Sequence, residues 1–308
     1  MLMWSIFALL ITVMLVIDLG LNRRSRTISF KESLIWSAVW IGLALAFNAG
    51  VWYMMGSGKA MEFLTGYVIE KALSVDNLFV FIMIFAAFGI RGHHQARILK
   101  WGIIGALVMR GIFIFAGIEL LERFQWLFYV FGGILILTAF KTAFGGQGES
   151  DPGKSIVVRL AGRFLPVTKK IRGDWFITRR RGMWLASPLL LALLMVEVSD
   201  LVFALDSIPA IFAVTLDPFI VFSSNVFAIM GLRALYFLLA NVMGMFIYLK
   251  YGISFILAFV GVKMLATVSG FHVPAPLSLS IIAATLLVAV LASVTIGRQT
   301  RAAALKNA

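Results

Sequence analysis

The 308-residue sequence contains no cysteine. Disulfides, thiolate metal sites and thiol chemistry are therefore excluded. Histidine is almost as scarce: His93, His94 and His272 all fall in loops between long apolar runs. A haem or copper electron carrier inside the membrane would need axial His, Met or Cys ligands. With no histidine within an apolar run, that class is set aside.

Charge is scarce too. Asp, Glu, Lys and Arg make up 13% of the chain and apolar residues 61%, where a soluble domain has about 25% and 45–50%. The mean hydropathy of +0.99 agrees, and together these imply an integral membrane protein. Apolar runs of about 20 residues recur, each long enough to cross a hydrocarbon core of roughly 30 Å. In lipid the backbone must bond to itself, so these runs are expected to be helices. A β-barrel would instead show alternating segments of about 10 residues.

Nine spans are predicted, near 3–21, 33–54, 62–88, 98–119, 124–143, 184–209, 218–240, 248–268 and 277–297. The expected fold class is all-α, a polytopic membrane protein of about nine transmembrane helices. Two N-terminal helices occupy 1–61, a three-helix unit 62–143 and a basic cytoplasmic loop 144–183. A second three-helix unit occupies 184–268, and a last helix with a cytoplasmic tail 269–308. The first span has no basic residue before it and is followed by Arg23, Arg24 and Arg26. It is expected to be a retained helix rather than a removed leader.

The net charge of +13 lies between the spans. Arg23, Arg24, Arg26 and Lys31 follow span one, and Arg91, Arg97 and Lys100 follow span three. Nine basic residues from Lys154 to Arg181 fill the long loop, and Arg298, Arg301 and Lys306 follow the last span. With nine spans all these segments share one side. The loops near 55–61, 120–123, 210–217 and 269–276 share the other and are poor in Lys and Arg. The positive-inside rule then predicts an outside N-terminus and a cytoplasmic C-terminus. Topology and contact with anionic lipid account for the basic loop better than nucleic acid does.

The chain aligns with itself. Glu70 and Asp76 are six residues apart, as are Asp200 and Asp206. Placing Asp76 on Asp206 also places Asn77 on Ser207 and Glu70 on Asp200. The following spans carry Arg110 and Arg233, each set in apolar sequence. Phe124–Lys141 then aligns without a gap on Phe246–Lys263. Spans three to five and six to eight thus read as two copies of a three-helix unit. An odd number of helices inverts the second copy, and inverted repeats with a site at their interface are a recurring transporter plan. Spans one, two and nine lie outside the repeat and are expected to be peripheral or stabilising.

Each ionisable group at the bilayer centre costs roughly 2.5–3.5 kcal/mol, so Glu70, Asp76, Glu197, Asp200 and Asp206 together cost on the order of 15 kcal/mol. Arg110 and Arg233 cannot neutralise all five, and Lys141 and Lys263 stand near span ends, where they can snorkel. Some of the acids must be protonated, solvated or bound to a cation. At 100° per residue Glu70 and Asp76 lie about 120° apart around a regular helix. Convergence of all five therefore predicts that spans three and six bend or unwind. Pro209, three residues after Asp206, offers the means. Asn77, Ser199, Ser207 and Asn225 could add neutral oxygens or form interhelical hydrogen bonds. Oxygen ligands without His or Cys suit Mg²⁺, Ca²⁺ or Mn²⁺, and proton exchange is open to such a site because ligands must deprotonate to bind a metal.

The stretches GYVIEKALSVDNLFVF, VEVSDLVFALDSIPAIFAV and LDPFIVFSSNVFAIMGLRALYFLLA resemble the TerC family, in the pattern of its Alx-like branch. The resemblance covers nearly the whole chain. It implies a bacterial inner-membrane exporter of Mn²⁺, with Glu70, Asp76, Glu197, Asp200 and Asp206 lining the ion path. All five positions fit the motifs. The tellurium resistance for which the family is named has no explanation in these residues, since tellurite is an anion.

The expected function is secondary export of Mn²⁺ with protons as the possible coupling ion. Glu70, Asp76, Asp200 and Asp206, aided by Asn77, would hold the ion, with Glu197 as ligand or proton carrier. Arg110 and Arg233 would anchor the acids or repel the ion from a resting site, and Ser207 and Asn225 would support them. No ATPase, enzyme activity, permanently bound cofactor or nucleic-acid partner is expected, and the sequence leaves the oligomeric state open. Transport of Ca²⁺ or Mg²⁺ stays open on ligand chemistry. So does a non-transporting membrane-protein assembly or stress-response factor, with the long basic loop as its contact.

Overall fold

The computed structural model describes residues 2–20, 29–124, 126–144, 168, 173–180, 183–242, 248–268, 271 and 273–306. The elements run α1 (Leu2–Gly20), α2 (Phe30–Met55), α3 (Ser57–Ala87), α4 (His93–Arg123) and α5 (Leu127–Phe144). A hairpin of β1 (Ile177–Arg180) and β2 (Met183–Ala186) follows. The chain continues with α6 (Pro188–Phe212), α7 (Pro218–Ile229), α8 (Leu232–Val242), α9 (Leu249–Val268) and α10 (Ala275–Lys306).

Each apolar run of the sequence is helical, and the protein is an all-α polytopic membrane protein with one small hairpin. Among the described residues six helices are long and apolar enough to cross a membrane, or seven with α7 and α8 taken as one bent span. Exposed apolar side chains such as Leu45, Leu137 and Val288 stud their outer faces, as an apolar solvent allows.

Local signals explain the boundaries. Ser29 caps α2 through a reciprocal pair with Glu32, which satisfies two free N–H groups. Asp217 caps α7 by accepting from Phe219 and Ile220. The span expected from 184 begins its helix only at Pro188, because 184–186 belong to β2, paired Ile177↔Ala186 through Arg180↔Met183. Proline at the first helical position needs no N–H partner.

The helix break lies elsewhere than expected. Spans three and six, α3 and α6, are each continuous helices, and α6 continues through Pro209. Span seven is the broken one: α7 and α8 meet at 43° around Met230–Gly231. Gly231 has φ 80°, and a Cβ there would sit 2.6 Å from the Trp40 ring. Lys71 supplies what the break leaves unmet, its Nζ donating to the carbonyls of Ala228 at 3.0 Å and Met230 at 3.4 Å.

Side-chain pairs tie helix ends to neighbouring segments. Lys59 meets Asp217 at 3.1 Å and His93 meets Asp174 at 2.9 Å. Each pair joins segments that alternating spans put on a common side. Lys263 does not snorkel: it is buried, and its Nζ donates to Ser278 at 3.0 Å. The helices outside the repeat are not merely peripheral either. Phe7, Met14 and Trp40 of α1 and α2 join one core cluster with Phe63, Phe219 and Phe227. The long basic loop, apart from Phe144, Thr168, 173–180 and Met183, lies outside the described residues, as does His272.

Candidate functional site

Four helices bring five polar side chains together in the apolar core. Glu70 comes from α3, Arg110 from α4, Asp200 and Ser207 from α6, and Asn225 from α7. All are buried, Glu70 completely. Arg110 donates to Asp200 through Nε at 3.2 Å and Nη2 at 2.9 Å. Its Nη1 donates to Glu70 Oε1 and, at 3.4 Å, to the Ser207 hydroxyl. Asn225 Nδ2 donates to Glu70 Oε2 at 3.2 Å, while its Oδ1 is buried with no partner.

One guanidinium faces two carboxylates, so the ionised cluster keeps one negative charge. A buried net charge is costly unless something compensates it. A proton or a cation would, and the orphaned Asn225 oxygen is a neutral ligand beside Glu70.

Glu197 stands one helical turn before Asp200 on α6 and is half-buried. Gly105 makes room for it: a Cβ there would lie 2.2 Å from Glu197 Oε1. Glu197 and Asp200 line a cavity with Gly102, Phe81, Leu232 and Arg233. Its volume of about 20 Å³ admits a guest of water size, for which about 10–15 Å³ suffices. Among the described residues Glu197 has no ion-pair partner.

The other expected residues stand apart. Asp206 faces α5, where Thr138 Oγ1 donates to its Oδ1 at 2.9 Å. A regular α6 explains this, since a spacing of six turns Asp206 about 120° from Asp200. Asn77 is buried in α3, and Ser199 is half-buried in α6. Asp76 lies on α3, but its side chain is outside the described residues. Among the described residues Arg233 anchors no motif acid. Its Nη2 donates to Asp18 of α1, to the carbonyl at 2.8 Å and to Oδ1 at 3.0 Å.

Asp18, Lys71 and Thr138 escape the sequence reading. Asp18 is a lone acid at the end of the first apolar run, and Lys71 directly follows Glu70; both were visible as charges in apolar sequence. His93 and His94 open α4 rather than lying in a loop. The sequence also holds GESDPGKS at 148–155, which has the spacing of a phosphate-binding loop. That motif needs a strand directly before it. The described residues before it end in α5 at Phe144, and the motif itself lies outside the described residues.

The model of the integral membrane protein TerC family matches residues 55–301. An uncharacterized membrane protein of Myxococcus xanthus is 51% identical over 292 residues, 94% of this chain and 91% of its own. A Photorhabdus laumondii protein is 44% identical over 307 residues, covering 96% of each chain. An Escherichia coli K12 protein is 45% identical over 291 residues, 91% of this chain and 90% of its own. The last two are named Alx and described as a proposed membrane-bound redox modulator. No solved structure matches. The chain belongs to the TerC family of integral membrane proteins.

Proposed function

We propose that the chain is a secondary transporter of the bacterial inner membrane that exports Mn²⁺, with protons moving the other way. The observation that carries this reading is Glu197, a half-buried acid with no ion-pair partner among the described residues that opens on a small cavity beside Asp200. An acid so placed has a use if it takes up and releases a cation or a proton. Glu70, Asp76, Asn77, Asp200 and Asp206 would hold the ion in turn. Glu70 and Asp200 are closed to a cation while Arg110 grips them, and release of that grip would open the site. Manganese is favoured over Ca²⁺ or Mg²⁺ by the family resemblance, since oxygen ligands accept all three. No thiol is present through which the redox role named for the Alx relatives could act.

The reading includes nine spans, an outside N-terminus, a cytoplasmic C-terminus and two inverted repeats. Two contacts between α5 and α9 support the repeats. Gly132 packs on Gly261, a Cβ on either lying 3.0–3.2 Å from the other's carbonyl oxygen. Ser254 Oγ donates to the Ala139 carbonyl at 3.0 Å. In the alignment of Phe124 on Phe246, Gly132 corresponds to Ser254 and Ala139 to Gly261. The two contacts therefore exchange when the helices are swapped, and their register, 132 with 261 and 139 with 254, runs α5 and α9 antiparallel.

Purified protein in lipid vesicles tests the transport reading, with Mn²⁺ flux and internal pH followed together. The intact chain should move Mn²⁺ against protons, and Glu197→Gln should lose the coupled proton flux. A chain that moves neither ion overturns it. The second reading, an assembly or stress-response factor, draws on the exposed Trp175, Met183 and Trp184 of the hairpin region. Deleting much of 147–178 separates the two: a factor would lose its role, and a transporter would keep flux.

A further inference from the structure

The structure assigns a second metal site, at the head of α4. His93, His94 and Asp174 each present a ligand atom, and the three atoms lie within 4.8 Å of one another. Asp174 Oδ1 is 2.9 Å from His93 Nε2 and 3.4 Å from His94 Nδ1. Ligands bound at about 2.1 Å around a tetrahedral metal stand about 3.4 Å apart. Small rotations of the side chains therefore seat one ion between all three.

Two further features single the cluster out. The His94 Nδ1 is buried and makes no hydrogen bond among the described residues, so a nitrogen able to coordinate stands beside Asp174 Oδ1 uncommitted. Arg97 lies 3.9 Å from Asp174, but on Oδ2, and its guanidinium rests over Phe176 at 5.2 Å. Oδ1 is left to the imidazoles. His93 and Asp174 are each about half exposed, so solvent reaches the remaining coordination positions. Arg97 and the positive end of α4 disfavour a cation, but the helix dipole acts weakly at an exposed site.

The ligand chemistry differs from that of the buried acids. Two imidazoles and one carboxylate suit Zn²⁺, Co²⁺ or Ni²⁺ and bind Mn²⁺ and Mg²⁺ less well. The proposal therefore concerns another class of ion and does not depend on Mn²⁺ export. Asp174 stands three residues before β1, so a bound ion would tie the hairpin to the start of α4.

Co²⁺ titration of the full chain, purified in detergent without a histidine tag, tests this. Imidazole ligands in a low-coordinate site give strong visible Co²⁺ absorption, whereas an all-oxygen octahedral site gives weak bands. One saturable equivalent with strong absorption is expected. His94→Ala and, separately, Asp174→Asn should each weaken it at least about tenfold, since even outer partners of metal ligands are worth 10–100-fold. Thermal melting of each variant verifies that it is folded. Absent strong absorption, or absorption that survives both substitutions, would overturn the site. The readout is metal bound by isolated protein, so failure of Mn²⁺ export leaves it untouched.

Discussion

Arg110 grips Asp200 with two nitrogens of its guanidinium, Nε at 3.2 Å and Nη2 at 2.9 Å, and turns its third toward Glu70. The internal alignment of the sequence pairs Glu70 with Asp200, so under the proposed repeat one arginine would join equivalent acids of the two units. Arg110→Met should leave two buried carboxylates without their cation. Removing one member of a buried ion pair costs roughly 3–5 kcal/mol, so thermal unfolding in detergent should shift sharply downward. Arg110→Lys should fall between, because an ammonium cannot reproduce the planar fork.

Gly105 should be intolerant of a side chain for a local reason. A Cβ there overlaps the Glu197 carboxylate, which must swing out of its cavity. Gly105→Ala is expected to lower Mn²⁺ flux on the order of tenfold to a hundredfold, as misplacing a working group by about 1 Å does in enzymes. Gly133→Ala is the control. Its Cβ would meet nothing within 4 Å, and alanine is the better helix former by about 1 kcal/mol. Vesicle flux at matched protein levels checks both.

Gly231→Ala should destabilise the fold. The residue adopts φ 80°, and its missing Cβ is where Trp40 packs, 2.6 Å away. Backbone strain of this kind costs about 1–3 kcal/mol, with the displaced ring adding more. A lowered melting temperature in detergent is expected, and an unchanged one would contradict this account of the α7–α8 break.

Lys71→Met should leave the carbonyls of Ala228 and Met230 without their buried donor. An unsatisfied buried acceptor costs about 1–3 kcal/mol. The loss should appear first as faster hydrogen exchange around 228–235, where the helix is already broken, with α10 unaffected.

Much of this organisation was legible in the sequence. Apolar runs mark every long helix, because lipid leaves the backbone no other partner. The acids stood out because charge is rare in such runs, and Glu70, Arg110, Asp200, Ser207 and Asn225 do meet. What was not legible depended on three-dimensional partners. Asp206 turns to Thr138 because α6 stays regular through Pro209. The break at Met230–Gly231 depends on Trp40 from α2 and Lys71 from α3. Arg233 and Arg110 look equivalent in sequence, yet Asp18 of α1 takes Arg233. The hairpin was hidden because Met183–Ala186 reads as the apolar start of a span.

The most direct measurement is cellular manganese after a Mn²⁺ load, by elemental mass spectrometry, in a bacterial strain lacking its main Mn²⁺ exporter. The intact chain should lower manganese, and Asp76→Asn and Asp206→Asn at matched membrane levels should not. Equal manganese in all strains, or export that survives both substitutions together, would contradict an acidic path for Mn²⁺ through the two halves of the protein.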